Sequence, residues 1–324
     1  MSKEKYLDER QEKQSINSAF FDEPRGPPFK LSRFLYNHQD GSIMGRTSKS
    51  WVKIGIFYSI FYAALAALVA LCMWVFFQTL DPRIPKWKLK ESLIGTNPGL
   101  GFRPMPPSES IESTLIWYKG TNYENYRQWT DALDKFLANY KTPGSNSPGR
   151  GQNIFNCDYQ APPPPGKVCD VDIKQFLKCT HENNYSYHKS SPCVFIKLNR
   201  IYGWVPEFYN DTNYLPPQMP KQLKQLINGT DATKLNNVWI SCEGENPADI
   251  ENMGPIEYFP TQGFPGYYFP YENSEGYLSP LVAIHFKKPT RGIIINIECK
   301  AWAYNIKHDR KDRTGSVHFE LMID

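Results

Sequence analysis

The pattern of apolar and polar positions divides the chain into a polar start, one long apolar run and a mixed remainder. The run extends from Ile54 to Leu80 and carries no charge over its 27 residues. As an α-helix it would be about 40 Å long, enough to cross a hydrocarbon core of roughly 30 Å. A core helix of this length would show a polar stripe, and a signal peptide would be shorter and closer to the N-terminus. The pattern therefore predicts one uncleaved transmembrane helix over residues 54–80.

Beyond the run, the periodicity predicts one helix and then a series of strands. Apolar residues spaced by three and four over residues 123–140 predict an amphipathic helix that ends at Pro143-Gly144. The period changes to two in residues 293–303 and 317–323, which predicts strands. Three shorter strand candidates are residues 193–198, 238–241 and 281–286. Together these elements predict a mainly-β ectodomain built as an antiparallel sandwich.

Local composition predicts a division of the chain into four parts. Residues 1–53 are polar with scattered charge, which predicts a mostly disordered cytoplasmic tail ahead of the transmembrane helix of residues 54–80. Residues 81–110 are rich in Pro and Gly, which predicts an extended extracellular connector. Residues 111–324 are then expected to form a single disulfide-bonded, glycosylated ectodomain.

The charge balance argues against a nucleic-acid surface. The chain has 37 Lys and Arg against 33 Asp and Glu, a net charge of +4. These basic residues are dispersed, whereas nucleic-acid-binding proteins concentrate them in a patch or stripe. We therefore expect no nucleic-acid partner, while the apolar run predicts membrane lipid as one partner.

Cysteines and glycosylation sequons predict the orientation in the membrane, which the evenly distributed flanking Lys and Arg residues leave open. Cys72 lies in the apolar run, and three N-x-[ST] sequons follow the run. Six cysteines on one side are typical of disulfides in an oxidising compartment, although spacing does not choose among the pairings. Together with the sequons they predict a type II protein of the plasma membrane whose C-terminus is extracellular. The residues concerned are Cys157, Cys169, Cys179, Cys193, Cys242 and Cys299, and Asn184, Asn210 and Asn228.

A search for catalytic motifs gives no constellation that supports an enzyme. The P-loop, H-E-x-x-H and G-x-S-x-G patterns do not occur in the sequence. Asp170-Val171-Asp172 has the D-x-D form with which Golgi glycosyltransferases hold a metal-bound sugar nucleotide, which keeps a type II ectoenzyme as an alternative. The sequence Asp312-Arg-Thr-Gly-Ser resembles the phosphorylation site of P-type ATPases, but we interpret it as a turn between strands. The residues thus predict a non-catalytic, anchored ectodomain without cofactor or metal, and an adhesion glycoprotein is a further alternative.

The apolar run itself carries a candidate contact surface. Phe57, Tyr58, Phe61 and Tyr62 form two pairs spaced by four residues, which brings them onto one helix face. Small residues elsewhere on the run would let another helix approach closely, and tyrosine hydroxyls in lipid require hydrogen-bonding partners. We interpret this face as a helix-packing surface.

From about Gly45 onward, the chain carries several motifs in a fixed order. They are FYSIFY at 57–62, CVFIKLNRIYGW at 193–204, IEYF at 256–259, GFPGYYFPY at 263–271, YLSPLVAIHF at 277–286, IECKA at 297–301, and the paired ends DR at 312–313 and HFEL at 318–321. Together with the six exterior cysteines, they resemble the β-subunits of the sodium/potassium-transporting and proton/potassium-transporting P-type ATPases. The resemblance implies an immunoglobulin-like sandwich with one covering helix.

The resemblance also implies a role and a partner. Such a β-subunit is not catalytic; it binds the catalytic α-subunit, stabilises it, carries it out of the endoplasmic reticulum and modulates potassium affinity. The family's sequential disulfides would pair Cys157 with Cys169, Cys179 with Cys193, and Cys242 with Cys299. The resemblance assigns the partner contacts to the aromatic helix residues 57, 58, 61 and 62 and to Tyr267, Tyr268 and Tyr271. Whether the pump carries sodium or protons stays open at this point, because the ions bind in the other subunit.

Overall fold

The computed structural model describes residues 35–37, 41–107, 113–141, 153–309, 311 and 314–324. The chain divides into two compact units, one up to Thr79 and one from Leu80 onward. Most of the predicted cytoplasmic tail, the helix-ending Pro143-Gly144 and the pair at 312–313 lie outside the described residues.

The first unit is dominated by one long helix. Strands β1 (Tyr36–Asn37) and β2 (Ser42–Ile43) form a small antiparallel pair, and helix α1 (Ser48–Gln78) follows. The helix begins before the apolar run does, with the backbone N–H groups of Ser50 and Trp51 donated to the carbonyl oxygen of Thr47 at 2.9 and 3.1 Å. Trp51 also donates its indole N–H to the carbonyl oxygen of Ile43 at 2.9 Å. No side chain of α1 is buried within the chain, and its length and composition suit a membrane crossing. The predicted transmembrane helix is confirmed in kind, with its first residue moved to Ser48.

The second unit contains the remaining strands and helices. In chain order they are β3 (Leu100–Arg103), β4 (Leu115–Tyr118), α2 (Tyr123–Lys141), β5 (Ile154–Phe155), β6 (Val168–Cys169), β7 (Cys193–Leu198), α3 (Lys221–Asn228), β8 (Asn237–Gly244), α4 (Pro247–Met253), β9 (Ile256–Phe259), β10 (Gly263–Pro265), β11 (Leu281–Phe286), β12 (Ile294–Trp302) and β13 (Ser316–Ile323). Short 3₁₀ turns connect several of them.

Two larger sheets form the predicted sandwich. One has the strand order β10-β8-β12-β13-β4 and the other β3-β7-β11-β9. Their pairs are antiparallel except β13 with β4, which is parallel. Both sheets contribute to a single hydrophobic core, to which β12 supplies Ile295, Ile297 and Cys299, each at most 1% exposed. The mainly-β fold predicted from the period of two is therefore confirmed.

Helix α2 covers this core, as its apolar stripe predicts. Leu133 is fully buried, and Trp129 donates its indole N–H to the carbonyl oxygen of Trp117 on β4 at 2.9 Å. At the other end of the helix, Tyr140 donates its hydroxyl to the carbonyl oxygen of Ser279 at 3.0 Å. These two bonds satisfy polar groups that burial would otherwise leave unpaired.

Three details differ from the sequence expectations. The predicted connector over residues 81–110 contains β3, whose Leu100 and Phe102 enter the core, so the sandwich begins inside that range. Two short helices, α3 and α4, were not predicted. Trp302 alternates with the core-facing residues of β12, so the period of two predicts it on the outer, polar face; it is nevertheless 3% exposed, because α3 covers the end of that face and forms a second apolar cluster with it.

Three disulfides fasten the second unit. They join Cys157 to Cys169, Cys179 to Cys193, and Cys242 to Cys299, which are the pairs that the resemblance implies. The third bond joins residues directly opposite each other on β8 and β12. Such cross-links limit the conformational freedom of the unfolded chain, and each typically stabilises a fold by about 2–4 kcal/mol.

The register of β12 predicts that two isoleucines on this strand contribute very differently to the free energy of unfolding. We expect Ile297→Ala to lower the free energy of unfolding by about 2–5 kcal/mol, because it opens a cavity in the shared core. Thermal unfolding of the full chain in detergent measures the effect. The matched control is Ile294→Ala on the same strand, where the side chain is 51% exposed and the expected change is small. Equal losses in both variants would contradict the register.

Candidate partner-binding surfaces

The aromatic patch on α1 consists of Phe57, Tyr58, Phe61 and Tyr62. The rings of Phe57 and Phe61 stack with their centroids 6.3 Å apart, and those of Tyr58 and Tyr62 stack at 6.0 Å. Edge contacts of 5.4 Å join the two stacks into one surface. All four side chains are at least 50% exposed, so the patch is formed but uncovered by this chain. An uncovered patch of contiguous rings on an apolar helix is suited to packing against another helix.

The second predicted surface follows β10, where the chain makes a tight turn. Residues Gly266–Tyr268 form a 3₁₀ turn immediately after Pro265. A Cβ atom on Gly266 would lie 2.7 Å from the ring of Phe208 and 2.9 Å from the carbonyl oxygen of Asn236. Only glycine fits this close approach, and it lets the following tyrosines project from the edge of the sandwich.

The three tyrosines of this segment have different surroundings. Tyr268 donates its hydroxyl to the carbonyl oxygen of Asp170 at 2.6 Å, and burial raises the pKa of Tyr268. Tyr267 is partly exposed, and its ring meets the edge of Tyr159 at 5.4 Å. Tyr271 is also partly exposed and donates its hydroxyl to Asn273 at 2.8 Å. Tyr268 thus holds the segment in place, and all three tyrosines are partly exposed and retain surface that a partner can contact.

A network of cation and ring contacts joins this segment to the beginning of the ectodomain. The guanidinium of Arg200 lies 5.2 Å from the ring centre of Tyr271, and Tyr202 meets the same ring at 6.3 Å. The ammonium of Lys88 lies 4.8 Å from the ring centre of Tyr202. Asn273 donates its side-chain N–H to the carbonyl oxygen of Arg83 at 3.2 Å. The tyrosine segment is therefore bonded to the residues that immediately follow α1 in the sequence.

A cleft of about 490 Å³ lies beside the tyrosines. One wall is the run Pro162–Pro165, and the other is formed by residues 266–270 together with Tyr277. Lys167 and Glu272 supply one charge of each sign. The cleft could not be predicted from the sequence, because the proline run and the tyrosines are about a hundred residues apart in the chain. The network residues Arg200 and Tyr202 lie within the motif at 193–204, and this motif was the available signal for them.

The D-x-D sequence has a structural explanation. Asp172 caps a 3₁₀ turn by accepting the backbone N–H of Lys174 at 2.9 Å, and Asp170 accepts the backbone N–H of Val171. Among the described residues, no group of three or more His, Cys, Asp or Glu side chains could hold a metal ion. The two D-x-D carboxylates thus have local structural roles in the turn that they occupy.

Glu257, His285 and Ser191 are arranged like the acid, histidine and serine of a hydrolytic triad, but His285 and Ser191 are buried. His285 lies 3.4 Å from a carboxylate oxygen of Glu257 and 3.3 Å from the hydroxyl of Ser191. Ser191 is only 7% exposed, whereas a nucleophile must reach its substrate. Hydrogen-bonded ion pairs with Lys287 and Lys178 lower the pKa of Glu257 to about 2, and burial lowers the pKa of His285. The cluster fastens β9 to β11 and does not form an active site.

The three sequons differ in how the fold presents them. Asn210 and Asn228 are exposed. In the sequon at Asn184, Tyr185 is fully buried and Ser186 is 3% exposed, with its hydroxyl bonded to the carbonyl oxygen of Lys178 at 3.1 Å. The folded chain therefore exposes Asn210 and Asn228, whereas Asn184 is only partly exposed and is followed by two buried residues.

The architecture of the described residues defines a class of protein. It combines a single apolar helix long enough to cross a membrane with a disulfide-bonded sandwich. Its exposed aromatic surfaces are suited to protein contacts. These features define a membrane-anchored accessory protein.

Comparison with known proteins gives the family. The sequence profile of the sodium/potassium ATPase beta chain matches residues 27–319. The chain is 66% identical over 305 residues to the sodium/potassium-transporting ATPase subunit beta-2 of Drosophila melanogaster, covering 93% of this chain and 94% of the relative. It is 43% identical to subunit beta-1 of the same organism, over 91% and 93% of the two chains. It is 30% identical to the human subunit beta-2, over 90% and 93%.

The chain belongs to the sodium/potassium ATPase beta chain family. It is a membrane protein and an accessory subunit of the pump, and the catalytic activity resides in the α-subunit with which the family associates.

The sequon geometry predicts unequal glycosylation. We expect Asn210→Gln and Asn228→Gln each to remove one glycan, because both sites remain accessible after folding. Asn184→Gln should change nothing, since Asn184 is only partly exposed and its buried neighbours Tyr185 and Ser186 leave less room for a glycan in the folded chain. Electrophoretic mobility before and after enzymatic deglycosylation measures this. A third glycan that Asn184→Gln removes would show that modification precedes folding.

Burial of His285 predicts that stability falls in weak acid. Because its pKa in the folded chain is lowered, its contribution is present above the ordinary value of 6.5 and is lost as the pH falls below that value. We expect the unfolding temperature to fall between about pH 7.5 and about pH 5, and we expect this fall to be smaller in His285→Gln. The exposed His188 provides the control, and an unchanged pH dependence in His285→Gln would contradict the assignment.

Proposed function

We propose that this chain is the β-subunit of a plasma-membrane sodium/potassium pump, oriented with its C-terminus outside the cell. It assembles with the catalytic α-subunit, stabilises it, supports its exit from the endoplasmic reticulum and modulates its potassium affinity. The names of the relatives support a sodium/potassium pump over the proton/potassium alternative. The disulfides and exposed sequons support an extracellular location for residues 81–324.

The assembly proposal rests on the hydrogen bond between the tyrosine segment and the start of the ectodomain. Asn273 is bonded to Arg83, which lies five residues beyond the end of α1 at Gln78. A chain of five residues spans at most about 18 Å. With α1 in the membrane, Tyr271 and its neighbours remain near the membrane surface, where the exterior loops of a membrane-embedded partner are accessible.

Two contacts of different chemistry then hold the partner. The aromatic patch on α1 packs against an α-subunit helix inside the lipid, and the Tyr58 and Tyr62 hydroxyls hydrogen-bond to that helix. The exterior contact uses Tyr267 and Tyr271, whose rigid rings cover a large area at a small cost in conformational entropy. The remaining surface of α1 contacts membrane lipid.

Removing the tyrosines of the helix patch should weaken assembly. We expect Tyr58→Ala with Tyr62→Ala to reduce co-purification of the α-subunit in mild detergent, or to shift the potassium activation of the pump, because stacked surface and hydroxyl donors are lost together. The matched control is Ile56→Ala with Ile60→Ala, a pair with the same spacing on the opposite helix face. Unchanged yield and unchanged potassium activation in the tyrosine variant would refute the helix contact.

The exterior contact has its own variant and control. We expect Tyr267→Ala to weaken α-subunit binding by about tenfold or more, in line with a central aromatic contact. Quantitative co-purification and the fraction of pump at the cell surface measure this. Tyr214→Ala is the control, because that tyrosine is 73% exposed elsewhere in the ectodomain. If the Tyr267 variant binds and reaches the surface as well as the control does, the exterior contact lies elsewhere.

A further inference from the structure

The residues that follow α1 expose several large apolar side chains. Ile84, Trp87, Leu93 and Ile94 are 45%, 52%, 108% and 73% exposed. Leu93 and Ile94 occupy the centre of a turn in which Gly95 donates its backbone N–H to the carbonyl oxygen of Ser92 at 3.1 Å. Exposed turn centres usually hold Gly, Asn, Asp, Pro or Ser. Two aliphatic residues at this position are therefore unusual in a surface that faces only water.

The segment is held in a defined place on the ectodomain. At one end, Asn273 bonds to the carbonyl oxygen of Arg83. At the other end, the side chain of Asn97 donates to the carbonyl oxygen of Lys307 at 2.8 Å and accepts its backbone N–H at 3.0 Å. Between these points, Lys88 lies over the ring of Tyr202. These contacts hold the segment on the sandwich while the turn centre at Leu93 stays outside it.

The net charge of the segment suits a surface that carries phosphate groups. Residues 81–94 contain four basic and two acidic side chains, a net charge of +2. Lys86 lies 5.5 Å from the ring centre of Trp87, so a cation and an indole are presented together. Trp and Lys beside a transmembrane helix are typical of the membrane–water interface, where the ring enters the headgroup layer and the ammonium binds phosphate.

We propose that residues 84–94 form a second membrane contact outside the span. Trp87, Leu93 and Ile94 enter the phospholipid headgroup layer of the membrane that α1 crosses, and Lys86 and Lys90 bind the phosphates of that layer. The inference rests on the proposed insertion of α1. Its consequence is that the ectodomain is fixed against the membrane at two places, which limits its tilt and keeps the tyrosine segment oriented toward the partner.

Site-specific fluorescence quenching tests the contact. Cys72 is the free cysteine among the described residues, so Cys72→Ser with Leu93→Cys leaves one thiol for an environment-sensitive fluorophore. The full chain is co-expressed with the α-subunit and placed in phosphatidylcholine nanodiscs. The control is Leu226→Cys, an exposed leucine on α3. Leu93 is fully exposed, so its replacement leaves folding intact, and electrophoresis without reductant checks the three disulfides.

We expect lipids with a spin label near the headgroup to quench most of the emission at position 93 and little at position 226, with aqueous iodide giving the reverse order. Equal behaviour at both positions would overturn the proposal. Shielding of position 93 from both quenchers only when the α-subunit is present would also overturn it, because the segment would then contact the partner.

The same nanodiscs separate this inference from the proposed function. Quenching by lipid at position 93 in discs that lack a bound α-subunit supports the membrane contact. Failure of the two chains to co-purify counts against the proposed assembly and leaves the membrane contact unaffected. Recovery of the α-subunit with position 93 open to iodide refutes the membrane contact and leaves assembly standing.

Discussion

The cost of exposing a long apolar helix to water is the constraint on which the rest of this structure depends. Helix α1 has no buried side chain within its own chain, and an apolar side chain contributes about 1.5–3 kcal/mol when it is removed from water. Such a helix requires lipid, a partner helix or both. In the membrane crossing that the length and composition of α1 suit, the tyrosines of the patch would mark a protein-facing side, because their hydroxyls require hydrogen-bonding partners there.

The second unit meets a different requirement, which is to present fixed surfaces. Its two sheets share one core, three disulfides fasten it, and the hydrogen bond from Tyr268 to Asp170 anchors the tyrosine segment to the rest of the fold. The link from Asn273 to Arg83 transmits this rigidity to the residues next to α1. A partner held at both the helix and the sandwich is therefore held by a structure that does not have to become ordered on binding.

Sequence reasoning predicted the elements whose patterns are local. The charge-free run defined α1, the three-and-four spacing defined α2 to within a residue, and strict alternation defined β12 and β13. The short helix α3 was missed, and with it the burial of Trp302 on the outer sheet face, because that burial depends on a segment about eighty residues earlier in the chain. Sequence reasoning also placed β3 in a connector, because Pro and Gly around a four-residue edge strand dominate the local composition. Within the candidate site, the tyrosines could be predicted from their motif. The cleft, the hydrogen bond from Tyr268 to Asp170 and the network to Arg83 could not be predicted, since each arises from contacts between distant parts of the chain.

The measurement that tests the account most directly is affinity purification of this full chain from native membranes in mild detergent, followed by mass spectrometry and quantification of what accompanies it. The account predicts an equimolar sodium/potassium-transporting ATPase α-subunit. A chain recovered alone, yet folded, glycosylated and taken from the cell surface, would contradict the assignment of its aromatic surfaces to a pump partner.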